Sequence, residues 1–303
     1  MKLETKEITK SFGEKIVLKG INLSVESGRA LGLLGRNGAG KTTTIRIVMQ
    51  VFSADSGEVI LDGVPMNTDK VKIGYLPEER GLYPKKEIMS QLIYFGKLSG
   101  MSKKEAEKSA DKLLERLQMT EYRNKRLDTL SKGNQQKIQL VATLVANPDI
   151  IILDEPFSGL DPVNAMLLKD VVRELIADGK IVFFSSHQMN YIEEFCDDIA
   201  IISGGKIVLS GDIKEIKRSY NRNNIEIHSV KAGEIAKYIK AELSEIVGEV
   251  SVNADMIEVV LKSEKDKNLL YSGLSAFAAN IDEFKVKEPS LNDIFVKYTE
   301  EGI

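Results

Sequence analysis

The stretch Gly35-Arg36-Asn37-Gly38-Ala39-Gly40-Lys41-Thr42 fits the pattern G-x-x-x-x-G-K-[ST], whose residue types suit the cradling of a di- or triphosphate. Glycines let such a loop turn its backbone N–H groups inward around phosphate oxygens, and a helix starting near Lys41 adds its positive dipole end. Lys41 offers a point charge to the β- and γ-phosphates; Thr42 offers a hydroxyl to Mg²⁺. The plainer reading is a ligand-free glycine turn between strand and helix, and the Lys-Thr pair with its flanks argues against it. A second set of oxygens, Asp154-Glu155, closes the apolar run Ile150-Ile151-Ile152-Leu153. Asp154 is placed to hold Mg²⁺ directly or through water, and Glu155 to polarise an attacking water. Two acids ending a buried strand need a compensating cation; taken alone they read equally as exposed strand caps.

These groups need a scaffold, and the hydrophobic pattern predicts one. Ala30-Leu31-Gly32-Leu33-Leu34 is a near-continuous apolar run into the loop, and Ile45, Val48 and Met49 follow it at helical spacing. Ile150–Leu153 and Ile181–Phe184 repeat the strand texture, which suits a parallel sheet buried on both faces. Their separation by helical segments predicts an α/β core. Near the start, Val17, Ile21, Leu23 and Val25 alternate with polar neighbours and predict short strands turning at Gly13. Ser56–Asp62 and a hairpin about Gly204-Gly205 add further strands. Between about residues 87 and 147 strand signals are sparse, and the capping box Ser102-Lys103-Lys104-Glu105 precedes Ala106, Ala110, Leu113, Leu114 and Leu117. This predicts a helical insertion.

After Ser219 a polar run over residues 219–224 reads as a linker. Beyond it the pattern gives strand 225–230, helix 233–245, strands 249–252 and 256–262, helix 265–279, strand 282–287 and helix 291–299. That β-α-β-β-α-β order suggests a small ferredoxin-like α+β domain. The expected domains are therefore 1–218 and 219–303.

Composition removes other classes. The 303 residues are 43% hydrophobic and 29% charged, ordinary for a soluble globular chain and unlike collagen, disordered tails or disulfide scaffolds. With 42 Lys+Arg against 45 Asp+Glu the net charge is -3, so there is no bulk electrostatic case for nucleic acid. The single cysteine, Cys196, excludes an internal disulfide. With no apolar leader after Met1, a cytoplasmic location is expected. No apolar stretch reaches the ~18 residues of a membrane span.

Further motifs, in order along residues 1–215, resemble the ATPase subunit of ATP-binding cassette (ABC) transporters. Leu130-Ser131-Lys132-Gly133-Asn134-Gln135-Gln136 is similar to the family's signature motif, Ser158-Gly159-Leu160-Asp161 to its D-loop, Ser186-His187 to its switch histidine and Tyr75-Leu76-Pro77-Glu78 to its Q-loop region. Phe12 stands where the family stacks an aromatic on adenine. The resemblance implies a P-loop NTPase core of ABC type, with an antiparallel β subdomain and the helical insertion. It implies ATP and Mg²⁺ as ligands. Gly35, Asn37, Gly38, Ala39, Gly40, Lys41, Thr42 and Thr43 are expected at the nucleotide, with Thr42, Asp154 and Glu78 at the metal and Glu155, His187 and Lys41 in catalysis. Ser131 and Gly133 precede the helical run Ile138, Val141, Ala142 and Val145, and so sit at a helix N-terminus, a natural anion site. The resemblance implies that Ser131, Gly133, Asn134 and Asp161 complete the site of a second ATPase subunit, two ATPs being sandwiched head to tail. A lone histidine after a strand is more often structural; its place in the motif series makes His187 a γ-phosphate contact. His228, in the second domain, reads as an ordinary strand residue, and no ligand constellation is visible around it.

The chain departs from the family pattern in places. Lys132 and Asn134 replace a Gly and the Gln of the signature, Glu78 stands in place of the usual Gln, and Arg36 replaces a Pro. Glu78 still reaches Mg²⁺ but adds negative charge beside the triphosphate. Ile73–Pro84 and the tail Glu288-Pro289-Ser290-Leu291-Asn292-Asp293-Ile294-Phe295 are similar to ATPases of the ABC-2 export class. The expected partner is thus a polytopic membrane subunit of an exporter, holding this chain at the inner face of the cell membrane, and no nucleic acid. The alternative is a soluble ABC ATPase acting on ribosomes, DNA repair or assembly; one cassette, no heptad run and no cysteine cluster speak against it.

Overall fold

The computed structural model describes residues 1–79, 81–220 and 222–300. Of the linker run 219–224, Asn221 lies outside them, as does Arg80 of the Ile73–Pro84 stretch. The chain divides into two compact units, one of Met1–Ile213 with the segment from Phe295 onward, the other Lys214–Ile294.

In the first unit, β1 (Lys2–Phe12) and β2 (Lys15–Glu26) form a long antiparallel pair turning at Gly13, whose φ is 59°. Where short strands were expected both are long, and the alternation of β1 breaks at Lys6-Glu7. The break is a bulge: Glu7 takes φ 49° and its N–H donates to Asn22 Oδ1 at 2.9 Å, after which Ile8 returns to the buried face. β3 (Ala30–Gly35) leads into α1 (Lys41–Val48). β4 (Ser56–Leu61) and β5 (Val64–Pro65) extend the first sheet in the order β2-β1-β4-β5.

β6 (Ile73–Leu76) precedes the helical insertion of α2 (Ile88–Leu98), α3 (Lys103–Arg116) and α4 (Lys132–Leu144). The capping box opens α3: Ser102 Oγ accepts from Glu105 N, and a Glu105 carboxylate oxygen accepts from Ser102 N at 2.8 Å. Ala106, Ala110 and Leu114 face inward at helical spacing. Then come β7 (Ile150–Asp154), α5 (Pro162–Ala177), β8 (Ile181–Ser185), α6 (Met189–Phe195), β9 (Asp198–Ser203) and β10 (Lys206–Asp212).

The second sheet runs β10-β9-β3-β8-β7-β6, parallel from β9 to β6, with β10 antiparallel at one edge. Ile150 to Leu153 are wholly out of water, as a strand covered on both faces requires. Parallel pairing brings the carboxyl ends of β3, β8 and β7 side by side. That edge is where an open α/β sheet binds its ligand.

In the second unit, after α7 (Ile213–Ser219), come β11 (Asn224–Ser229), α8 (Ala232–Glu242), β12 (Val247–Asn253), β13 (Met256–Leu261), α9 (Lys267–Gly273) and β14 (Ile281–Val286). The last helix, α10, is Leu291–Glu300. The sheet is antiparallel throughout in the order β12-β13-β11-β14, the ferredoxin-like arrangement. Ile225, Ile227, Ile257 and Val259 meet Ile235, Ile239 and Leu270 in its core. The single helix expected over 265–279 is instead broken into 3₁₀ turns, Glu264–Asp266 and Ser275–Asn280, around α9. It stops at Gly273, where a Cβ would lie 2.9 Å from Leu243, and Phe277 then packs edge-on to Tyr238 at 5.1 Å.

Candidate functional site

The phosphate loop leaves β3 under tight constraint. A Cβ on Gly35 would stand 2.6 Å from the Ile202 carbonyl oxygen, and one on Gly40 would stand 2.6 Å from Leu18 Cδ2. Gly40 also takes φ 117° and Gly38 φ 81°, both in the region that favours glycine. Asn37 and Gly38 are exposed and Ala39 is half-buried. Lys41 begins α1, and its Nζ donates to the Gly35 carbonyl at 2.5 Å and the Arg36 carbonyl at 3.3 Å. Burial pulls the Lys41 pKa down, while Asp154, Glu155 and Glu78 oppose that shift. Thr42 is exposed, Thr43 half-buried, and Thr44 bonds back to the Gly40 carbonyl at 2.9 Å. The loop therefore presents backbone donors, an ammonium and a helix start, a fit for a polyphosphate.

Asp154 ends β7 opposite Ser185 of β8. Burial, with Glu155 adding to it, pushes the Asp154 carboxyl above its usual range, against hydrogen bonds from Ser185 and Tyr75. The Tyr75 hydroxyl lies 3.4 Å from Asp154 Oδ2, and burial first and Asp154 second push its pKa up to about 12. Glu78 is exposed, and its charge adds the smallest of these contributions to the shifts of Lys41 and Tyr75. Asp154, Glu78 and the Thr42 hydroxyl are hard oxygen donors, the set Mg²⁺ prefers.

Glu155 is buried and takes φ 47°, a conformation rare for its type. Its N–H bonds the Ser185 carbonyl at 2.9 Å, so the strain is locked by β8. Ser186 Oγ donates to Glu155 Oε2 at 3.0 Å; the His187 N–H donates to Oε1 at 2.7 Å, and His187 Nδ1 lies 2.7 Å from the same oxygen. A carboxylate offers about four acceptor positions, so the second position on Oε2 is left for another donor. Nδ1 must carry the proton to bond a carboxylate. His187 Nε2 then donates to a phosphate only from the imidazolium form. His187 is 74% exposed, so that edge of the ring faces outward. The structure thus joins His187 to Glu155 directly, a contact the motif series did not contain.

The signature and D-loop meet each other in the same chain. Ser131 caps α4, its Oγ accepting from Asn134 N at 3.3 Å. Asp161 caps α5 through Asn164 N at 3.0 Å, and Asn164 Nδ2 returns to Asp161 Oδ2 at 2.5 Å. A Cβ on Gly133 would lie 3.3 Å from Asn164 Nδ2 and 3.9 Å from Asp161 Oδ2. Hydrogen bonds from Asn164 hold the Asp161 carboxyl below the usual range. Phe12 is 51% exposed, edge-on to Phe52 at 5.7 Å, with Lys10 Nζ 5.7 Å from its ring centre. Ser186, Tyr75 and Lys10 are the groups whose part sequence reasoning left unassigned. Ser186 and Tyr75 stand inside quoted motifs, but their partners are visible only through the β6-β7-β8 register.

With this geometry in hand, comparison with known proteins is direct. The family profile described as ABC transporter matches residues 18–158, and that of the ATP-binding protein DrrA1-3-like C-terminal domain matches residues 211–299. The chain is 42% identical over 291 residues to the ABC transporter ATP-binding protein YhaQ of Bacillus subtilis, covering 96% of each chain. It is 32% identical over 213 residues to Nod factor export ATP-binding protein I of Burkholderia lata, covering 69% of this chain and 70% of that one. A solved structure of an ATP-binding subunit of an ABC transporter superposes with TM-score 0.66 at 27% identity, over 72% of this chain and 92% of the other.

Proposed function

The chain belongs to the ABC transporter ATP-binding proteins, and from that footing we propose that it hydrolyses ATP to drive a separate membrane-spanning exporter. Family membership brings ATP binding and hydrolysis in the service of a transporter. The observation that carries the mechanism is Glu155, fixed by Ser186 and His187 on the edge that also bears Lys41. Gly35 to Thr43 hold the phosphates, Lys41 exchanging its carbonyl contacts for β- and γ-phosphate oxygens, and Phe12 stacks on the base. Thr42, Asp154 and Glu78 would hold Mg²⁺, which supplies charge neutralisation to the γ-phosphoryl.

Glu155 orients the attacking water through the free position on Oε2 and takes its proton, a role worth roughly 10²–10⁴ in rate. His187, kept beside Glu155 by Nδ1, turns Nε2 toward the γ-phosphate. Ser131, Gly133 and Asn134 of a second subunit, with its Asp161, close the site from across a head-to-tail dimer. Residues 1–218 act as the ATPase and 219–303 as an accessory domain.

Export, rather than a ribosomal or repair role, is supported by the name of the Nod factor relative and by the transporter subunits among the others. Among the described residues no helix is long and apolar enough to cross a membrane; membership among transporter ATP-binding proteins supports a polytopic partner that holds the chain at the inner membrane face. A cleft of about 310 Å³ lined by Tyr75, Pro77, Leu82, Phe95 and Leu98 is the docking place offered for it. Purification of tagged Glu155→Gln protein with ATP from its own detergent-solubilised membranes tests this. A polytopic protein in near-stoichiometric yield is expected; ribosomal or repair proteins in its place overturn the exporter reading.

A further inference from the structure

In the second unit one face of the sheet carries an imidazole between carboxylates. Glu226 and His228 lie two residues apart on β11 and therefore share a side. Glu283 on β14 is the direct cross-strand partner of His228. His228 Nε2 stands 2.7 Å from Glu226 Oε1 and 3.8 Å from Glu283 Oε2, and ligand atoms of all three residues fall within 4.8 Å of one another. We infer that Glu226, His228 and Glu283 form a binding site for one borderline divalent cation of the Zn²⁺ type.

The geometry is close to what such an ion requires. Bonds of about 2.0–2.2 Å in a tetrahedron set neighbouring ligand atoms about 3.3–3.5 Å apart. The observed 2.7 and 3.8 Å bracket that spacing, so side-chain rotation alone closes the site while the strand ladders hold the backbone. The seat already attracts a cation: Lys285 Nζ lies 2.8 Å from Glu226 Oε1 and 3.3 Å from Glu283 Oε2. That ammonium carries one charge and makes no bond to the imidazole. A dication matches both carboxylates in charge and gains the nitrogen as well. One nitrogen and two oxygens favour Zn²⁺-like ions over Mg²⁺ or Ca²⁺, which take oxygen alone. His228 is thus more than the ordinary strand residue expected of it. The sequence hid the cluster because Glu283 lies two helices and two strands further along the chain.

The test uses the full chain carrying His187→Ala, stripped of metal and titrated with Co²⁺. The protein has 2 histidines, so imidazole ligation in this background comes from His228 alone. A visible absorption band of tetrahedral Co²⁺ saturating at one equivalent and displaced by Zn²⁺ is expected. His228→Ala and the exposed-site variant Glu283→Gln should each abolish it, and Lys285→Met should tighten binding by about tenfold, the effect of releasing two surface ion pairs from the carboxylates. Absence of the band, an equal band in His228→Ala, or no tightening in Lys285→Met would each overturn the site.

Discussion

Replacing Glu155 by Gln separates the charge of this residue from its shape. The carboxylate takes Ser186 on one oxygen and the His187 N–H and Nδ1 on the other. An amide oxygen at the Oε1 position keeps the His187 donors. The amide N–H₂ then faces Ser186 Oγ, a hydroxyl that rotates to accept. Local structure is preserved and the proton acceptor is lost, so kcat should fall about 10²–10⁴-fold, equivalent to about 3–5 kcal/mol of barrier. A second effect runs the other way. Glu155 adds to the burial that raises the Asp154 pKa, so removing its charge eases Asp154, and a triphosphate meets a less negative site. Affinity for ATP should hold or improve, and the ATP-bound dimer should persist. Phosphate release at saturating Mg-ATP, calorimetric ATP binding and light scattering on a sizing column read the three effects. Turnover within about threefold of the parent would remove Glu155 from the chemistry; loss of ATP binding would refute the hydrogen-bond argument.

Gly40→Ala places a Cβ 2.6 Å from Leu18 at φ 117°; strain of roughly 1–3 kcal/mol should lower the melting temperature and ATP affinity together, and unchanged calorimetry would contradict it. Asp154→Asn bears on pH. A raised carboxyl pKa means that the folded chain binds this proton more tightly than the unfolded one, so between the ordinary carboxylate range and the raised value stability climbs as pH falls. The variant should melt higher than the parent at pH 7 without nucleotide, lose that part of the pH dependence, and no longer be stabilised by Mg²⁺ with ATP; a lower melting temperature would show that Asp154 is not a burdened group. Phe12→Ala, at a half-exposed ring, should raise KM for ATP by about 3–10-fold while the melting temperature falls only by what the edge contact with Phe52 contributes, and an unchanged KM would take the ring away from the base.

Much of this was legible before any coordinates. The phosphate loop shows itself because glycines that must turn and a lysine that must reach are close together in the chain. The parallel strands show themselves because burial on both faces leaves unbroken apolar runs. What stayed hidden depends on pairing. The bulge at Glu7 interrupts the alternation of β1, which is one long strand where short ones were expected. The bond from Ser186 to Glu155 and the cluster of Glu226, His228 and Glu283 exist only once a register is set, as Asp154 opposite Ser185 and His228 opposite Glu283. Helix 265–279 failed at Gly273 because the close approach of Leu243 is a tertiary fact with no local mark beyond the glycine itself.

The ladder that sets Asp154 against Ser185 also frees the chain between them. Glu155, Ser186 and His187 keep their spacing through hydrogen bonds across β7 and β8, so the connecting segment need not measure it out. The early part of α5 is bound by the Asp161–Asn164 cap, and its middle by the buried Val171 and Val172. Past these, the exposed turn at Asp178-Gly179 is held by its own capping bonds, Asp178 N to the Glu174 carbonyl and Gly179 N to the Ile176 carbonyl, and residues added beyond them cost loop-closure entropy that grows slowly with length. Descendants of this chain can therefore lengthen that turn, or graft another module into it, while the carboxylate, hydroxyl and imidazole stay in step.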